Sequence, residues 1–177
     1  VAEVHATAGY AVLLMTDCTN SGNITAKASQ SSTANAGIAA MITPGSRFVN
    51  CTNTGKIDVT TNTNTGGITG YARTAGTAAN PIHITGCANT GEIVGTGANV
   101  GGIIGNAGAY IYVDSCSNTG AVTGNGSAYA IGGIAGALTN VNAAITNSWN
   151  IADITTATNR AGGIVGMNAQ KAQLTAC

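Results

Sequence analysis

Five cysteines carry the most distinctive chemistry of this chain. Thiols can pair as disulfides, bind soft metal ions or act as nucleophiles when ionised. The five are Cys18, Cys51, Cys87, Cys116 and Cys177. No two of them form the Cys-x2-Cys pair that is typical of structural zinc sites, so the pattern predicts neither a metal site nor a bound cofactor.

The other groups that could catalyse a reaction are scattered along the chain. The histidines are His5 and His83, and neither has a cysteine or aspartate at ligand or triad spacing. Polysaccharide-cleaving β-helices need clustered acids to move protons. The six carboxylates are spread out instead: Glu3, Asp17, Asp58, Glu92, Asp114 and Asp153. We therefore expect a protein that is not an enzyme.

Each of the first four cysteines begins one half of an internal repeat, which reads Cys-x-Asn-x-Gly-x-Ile/Val. A degenerate fifth copy starts at Ser148. The asparagines of this half are Asn20, Asn53, Asn89, Asn118 and Asn150. The other half reads Gly-Gly-Ile-x-Gly, as in Gly66–Gly70. Self-similarity at a fixed period of about thirty residues predicts a stacked repeat fold.

Each repeat contains three apolar anchors, which must position the cysteines and asparagines. In the second repeat these are Phe48, Ile57 and Ile68. Short β-branched segments bounded by Gly and Asn indicate strands. The frequent Gly argues against helices, since each would cost roughly 1 kcal/mol in a helix interior.

The repeat therefore predicts an all-β fold, a parallel β-solenoid with about three short strands per coil. We expect one domain over residues 1–177, with five full coils and a short N-terminal coil. The coils are predicted to start near residues 1, 18, 51, 87, 116 and 148.

Stacked coils would lie about 4.8 Å apart and align equivalent side chains in ladders, Cys on Cys and Asn on Asn. That spacing lies within the Cα separation of disulfides, so Cys18–Cys51 and Cys87–Cys116 are candidate pairs. The alternative is a column of buried reduced thiols. We favour it inside the solenoid because parallel side chains point alike, whereas a disulfide needs them to diverge. Cys177 is the predicted reactive thiol, available for an intermolecular bond.

Composition limits the classes of partner. Six Lys and Arg balance six Asp and Glu, so the net charge is zero. A basic surface for nucleic acid is therefore not expected. No apolar run reaches the roughly 18 residues of a spanning helix, so we expect no membrane insertion.

The chain ends suggest a partner, namely another copy of the same chain. No capping segment is apparent at either end of the repeat array, and solenoids that stay monomeric normally carry caps. The predicted assembly ends are Val1, Val4, Leu174 and Cys177. A head-to-tail contact that does not close gives a filament. A piece cut from a longer repeat protein is the alternative explanation.

The two halves together, Gly-Gly-Ile-x-Gly and Cys/Ser-x-Asn-x-Gly-x-Ile/Val, resemble the GLUG-type repeats of large bacterial and archaeal surface proteins. The similarity extends from about Cys18 to Cys177; residues 1–17 fit loosely. It implies a β-solenoid displayed outside the cell and no particular activity. The frequent Cys departs from the usual pattern, in which Ser or Tyr is common nearby.

Taken together, these features predict an extracellular structural protein that self-assembles into a filament, sheath or surface layer. The alternative is a repeat stalk or ligand-binding module of a larger adhesin, whose partner would be a cell-surface glycan. The available aromatic platforms are Tyr71, Tyr110, Tyr112, Tyr129 and Trp149. Ice binding is a distant third, because the outward positions Thr25, Asp58, Val94, Thr123 and Thr155 do not form a regular Thr array.

Overall fold

The structure, a computed structural model, describes residues 12–26, 34–60, 64–72, 77–108, 110–125, 129–157, 160–170 and 172–177. The predicted assembly residues Val1 and Val4, the residue His5 and most of the short N-terminal coil lie outside this part. Every regular element in these ranges is a β-strand.

The strands follow one another in coils of five. The first coil contains β1 (Leu14–Thr16), β2 (Thr19–Asn20), β3 (Ile24–Ala26), β4 (Ala34–Ala36) and β5 (Ala39–Ile42). The second contains β6 (Arg47–Val49), β7 (Thr52–Asn53), β8 (Ile57–Val59), β9 (Asn64–Gly66) and β10 (Thr69–Ala72). The third contains β11 (Ile82–Thr85), β12 (Ala88–Asn89), β13 (Ile93–Gly95), β14 (Asn99–Gly101) and β15 (Ile104–Ala107).

The remaining strands repeat this order. The fourth coil contains β16 (Ile111–Asp114), β17 (Ser117–Asn118), β18 (Val122–Gly124), β19 (Ala130–Gly132) and β20 (Ala135–Leu138). The fifth contains β21 (Ala144–Thr146), β22 (Trp149–Asn150), β23 (Ile154–Thr156), β24 (Ala161–Gly162) and β25 (Val165–Asn168). A last strand, β26 (Gln173–Thr175), begins a further layer.

Equivalent strands of successive coils pair in parallel and form five sheets, which we name A to E after the order of strands in a coil. Sheet A has six strands, β1, β6, β11, β16, β21 and β26, and sheets B, C, D and E have five each. Pairing is in register between equivalent repeat positions, as in Ile84 opposite Val113. The predicted parallel β-solenoid is therefore confirmed.

The number of strands per coil corrects the prediction of about three. The middle anchor of each repeat, such as Ile68, lies in a bend and not in a strand. It separates a sheet D strand from a sheet E strand, so one predicted strand is really two. The Asn of the first repeat half forms a two-residue strand of sheet B, which is too short to show an apolar pattern.

Two apolar cores run along the solenoid. The larger one is formed by sheet A, sheet E, the bend isoleucines and the cysteines, as in Phe48, Ile68 and Cys87. The smaller one lies between sheets C and D and contains Ile57, Ile93 and Val100 among others. Inside the middle coils these side chains are fully buried. Because one coil alone cannot bury such a face, stacking stabilises the fold.

The last glycine of Gly-Gly-Ile-x-Gly lets sheets D and E approach backbone to backbone. A Cβ at Gly105 would lie 2.6 Å from the backbone N of Thr65 and 2.6 Å from the carbonyl O of Gly70. Side chains of any size would push these strands apart. The glycine therefore marks the contact at which the two sheets meet.

Candidate functional site

The asparagines predicted as a ladder form a continuous hydrogen-bonded column inside sheet B. The side-chain amide of Asn53 donates to Oδ1 of Asn89 at 2.8 Å, and that of Asn89 donates to Oδ1 of Asn118 at 2.7 Å. The same pattern links Asn20 to Asn53 and Asn118 to Asn150, both at 2.7 Å. Each amide therefore passes one hydrogen bond to the following coil.

The second N–H of each amide closes a local turn. In Asn89 it donates to the carbonyl O of Gly91 at 2.9 Å. Both donors are thus used although Asn53, Asn89 and Asn118 are fully buried. Because a buried amide without partners is costly, this arrangement requires Asn at every rung. The column has a structural role, and its hydrogen bonds all run in the same direction along the solenoid axis.

The second glycine of each Gly-Gly pair packs directly on this ladder. A Cβ at Gly102 would lie 2.4 Å from Cγ of Asn118 and 2.0 Å from the carbonyl O of Gly133, both in the next coil. Gly67 has the same relation to Asn89 and to Gly102. The two halves of the repeat therefore meet in space, with the Gly of one coil under the Asn of the next.

The cysteines line a second column beside the asparagines. Cys51, Cys87 and Cys116 are fully buried, Cys18 is half-buried and Cys177 is exposed, and all five are free thiols. The candidate pairs Cys18–Cys51 and Cys87–Cys116 are thus not disulfides in this structure. The backbone N–H of Cys51 donates to Sγ of Cys87 at 3.4 Å, so this thiol also accepts from the preceding coil.

Ser148 replaces cysteine in this column without loss of its contacts. Its Oγ accepts a hydrogen bond from the backbone N–H of Cys116 at 3.1 Å and donates to the carbonyl O of Thr146 at 2.8 Å. The thiol of Cys116 makes the corresponding contact with the carbonyl O of Asp114 at 3.3 Å. The position requires a small side chain that donates and accepts, not thiol chemistry.

Burial suppresses the reactivity of two of the three buried thiols, Cys51 and Cys116. It raises the pKa of Cys51 to about 11. Hydrogen bonding to Cys87, together with burial, raises the pKa of Cys116. Nucleophiles and metal ligands need the thiolate, so Cys51 and Cys116 act as small core side chains. The hydrogen bond with Cys116 lowers the pKa of the third buried thiol, Cys87. Among the described residues, no group of three or more His, Cys, Asp or Glu is placed to hold a metal ion.

A further column, which the sequence analysis did not identify, lies at the corner between sheets A and B. The residue before each cysteine or serine of the column has a positive φ: Asp17, Asn50, Gly86, Ser115, Asn147 and Ala176. This left-handed conformation favours Gly, Asn and Asp. The frequency of Gly, Asn and Asp at this repeat position is the sequence signal for a left-handed corner. Ser115 and Ala176 depart from that pattern and make the signal weaker.

The terminal coils present open surfaces to solvent. Ile154 and Ile164 of the fifth coil are only partly buried, although their equivalents Ile93 and Ile103 are fully buried. The predicted assembly residue Leu174, on β26, is 45% exposed. The end of the solenoid thus displays core positions that a further layer would cover.

The polar columns also end without partners in the described part of the chain. Asn150 donates to the carbonyl O of Ala152 but has no following Asn for its second N–H. A Cβ at Gly163 would meet no atom within 4 Å, whereas the equivalent Gly133 is closely packed. At the opposite end, Oδ1 of Asn20 has no recorded donor among the described residues. The two ends are therefore a donor end and an acceptor end.

The described residues contain no helix that is long and apolar enough to cross a membrane. No protein-family model, no curated protein and no solved structure matches this chain significantly. Its function has to be inferred from the geometry of its surfaces.

Proposed function

We propose that this protein is a non-enzymatic, extracellular structural subunit that assembles head to tail by coil stacking into a filament, sheath or surface layer. The observation that carries the proposal is the open donor end, where Asn150 and Gly163 lack the contacts that their equivalents make in every inner coil. A second copy stacked there would supply those contacts. The assignment to the cell surface rests on the resemblance to GLUG-type surface repeats.

The unpaired strand edges support the same proposal. Sheet A extends one strand further than the other sheets at this end, since β26 pairs with β21. The last strands of sheets B to E, β22 to β25, have no following strand among the described residues. Exposed edges of parallel strands are templates for pairing with another chain. A copy that fills these positions would continue all five sheets across the junction.

The neutral character of the protein favours association. With zero net charge, copies do not repel each other as they approach. Stacking would also bury apolar surface at this end, because Leu174 is exposed and Ile154 and Ile164 are only partly buried. A contact between unlike ends does not close on itself and so propagates. The expected product is a fibre whose length grows with protein concentration.

The first experiment is negative-stain microscopy of the native material, with and without reductant. Long fibres or rings would support end-to-end stacking, and their loss in reductant would assign an intermolecular bond to the exposed Cys177. Isolated rods of uniform short length at high concentration would overturn the proposal. They would favour the alternative, a repeat stalk or binding module of a larger adhesin.

A single methyl group makes the test specific. Gly163→Ala places a Cβ in open space, so the subunit should fold normally. In a stacked layer the same Cβ would meet the next backbone, as the 2.0 Å approach at the equivalent Gly102 indicates. We expect Gly163→Ala to remain monomeric in sedimentation velocity. The control Thr123→Ser, on the outer surface of sheet C, should assemble like the native chain.

A further inference from the structure

Three side chains of different chemistry form a row on the outer face of sheet A. Arg47, His83 and Tyr112 occupy equivalent positions in three successive coils and lie opposite one another in register. Adjacent strands are about 4.8 Å apart, so the row runs along the solenoid axis. The rings of His83 and Tyr112 have centroids 5.4 Å apart with planes tilted by 37°. Together they make a short aromatic platform next to a guanidinium group.

The polar groups of this row have no recorded partners in the described part of the chain. The other two described cations do: Lys56 pairs with Glu92 at 2.9 Å, and Arg160 lies 4.2 Å from the ring centroid of Tyr129. Arg47 is exposed and has no such ion pair or ring contact with any residue that the structure describes. Tyr112 is 38% exposed. The row therefore offers an unneutralised positive charge beside two accessible rings.

We infer that this row is a binding site for an acidic glycan, a chain of sugar rings that carries carboxylate groups. The inference is independent of the assembly proposed above, because the row lies on the side of the solenoid and not at its ends. The C–H face of a sugar ring is weakly positive and packs on the negative face of an aromatic ring. The carboxylate of the same chain would accept two hydrogen bonds from the guanidinium of Arg47.

The surroundings of the row favour an anionic ligand. One carboxylate of this sheet, Asp114, lies in the neighbouring outward column. It already accepts hydrogen bonds from Thr146, Asn147 and Ser115. It is thus turned towards the fifth coil and does not neutralise Arg47. A neutral sugar would leave that guanidinium without a partner, whereas a uronic acid would provide one.

His83 gives the site a predicted pH dependence. Its neighbours are Arg47 and Tyr112 on the flanking strands, with Asp114 in the next column. Burial, and after it the charge of Arg47, lowers the pKa of His83. A bound carboxylate would oppose that effect and favour the protonated imidazole. Affinity should therefore rise as the pH falls below about 6.5, the ordinary value for histidine.

Titration calorimetry with a hexasaccharide of galacturonic acid tests the inference. Maltohexaose serves as the neutral sugar and hexaglutamate as the acidic peptide, and the native and Gly163→Ala chains are both titrated to remove any effect of assembly. We expect binding of the acidic hexasaccharide and at least about tenfold weaker binding of the other two. No binding of the hexasaccharide, or equal binding of hexaglutamate, would overturn the inference.

Matched variants locate the binding. Arg47→Gln should weaken it about tenfold or more, whereas Lys56→Gln, the same charge change on another face, should not. Tyr112→Ser should weaken it, and Trp149→Ser, an exposed aromatic of sheet B, should leave it unchanged. His83→Phe keeps a ring and should abolish the pH dependence. Equal effects of Arg47→Gln and Lys56→Gln would show mere attraction to charge and would refute the site.

Discussion

Asn89 donates a side-chain hydrogen bond to Oδ1 of Asn118, 2.7 Å away in the next coil, and accepts one from Asn53 at 2.8 Å. All three residues are fully buried. A residue that serves both neighbouring coils couples three layers of the solenoid. The ladder therefore makes stability a property of the stack and not of any one coil.

Asn89→Ala should destabilise the protein by about 3 kcal/mol, since it leaves one N–H of the Asn53 amide and Oδ1 of Asn118 without a partner in the core. The measurement is the urea midpoint of unfolding, followed by far-UV circular dichroism. Asn20→Ala, the same change on a partly exposed rung of the first coil, should shift the midpoint much less. Equal shifts for the two variants would contradict a cooperative ladder.

Gly102→Ala should be among the most damaging single methyl additions in the chain. Its Cβ would lie 2.0 Å from the carbonyl O of Gly133, and backbone atoms cannot move aside without separating two coils. We expect a loss of more than about 3 kcal/mol, measured by thermal unfolding. Gly163→Ala is the control at the equivalent repeat position and, at protein concentrations where the native chain is monomeric, should change stability by less than about 0.5 kcal/mol. Similar melting temperatures for both variants would be inconsistent with the close coil contact.

The sequence predicted those features that repeat with the same residue type. Anchors such as Phe48 and Ile57 recur at constant spacing, and this spacing alone indicates parallel stacking, the ladder of Asn53 and the column of Cys51. The division into five strands was missed because Ile68 looks like a strand residue although it lies in a bend. A recurring apolar residue indicates a buried position, and buried positions occur in bends as well as in strands.

The candidate binding row could not be predicted in the same way. Arg47, His83 and Tyr112 share a repeat position but no chemical property, so no periodic signal connects them. Only the register between strands brings them together. In a solenoid the constant spacing of the coils restricts which residue types fit at inward positions. The outward positions can differ from coil to coil. Function carried by such positions has to be found in the structure.

The buried thiols should make the protein sensitive to alkali. Burial raises the pKa of Cys51 to about 11, above the value of about 8.5 for an unfolded cysteine. Its contribution to stability is therefore fully present below pH 8.5 and is lost as the pH rises through 11. In reductant, the stability of Cys51→Ser should fall less steeply than that of the native chain between pH 8 and about 10.5.

Serine is the suitable replacement because Ser148 already makes the contacts of this column. The control is Thr123→Ser, which alters a hydroxyl side chain of the outer surface and no thiol. Unfolding midpoints in urea are compared at several pH values. Parallel curves for the native chain and Cys51→Ser would mean that ionisation of this thiol does not limit stability at alkaline pH.

Asp114 should contribute to stability in a way that is lost at acid pH, whereas the contribution of Cys51 is lost at alkaline pH. Hydrogen bonds from Thr146, and then from Asn147 and Ser115, lower the pKa of its carboxyl group. A lowered pKa means that the contribution is present above the unfolded value of about 3.9 and is lost as the pH falls through the folded value. Asp114→Asn should therefore lower the melting temperature at pH 7, and the difference from the native chain should shrink as the pH falls below about 3.9. Thr146→Val removes the first of these donors while keeping a β-branched residue in β21. If the pair is coupled, the double variant Asp114→Asn/Thr146→Val should be more stable than the sum of the single changes implies. If the effects of the two single changes simply add, the stabilising effect of Asp114 does not come from its hydrogen bond with Thr146.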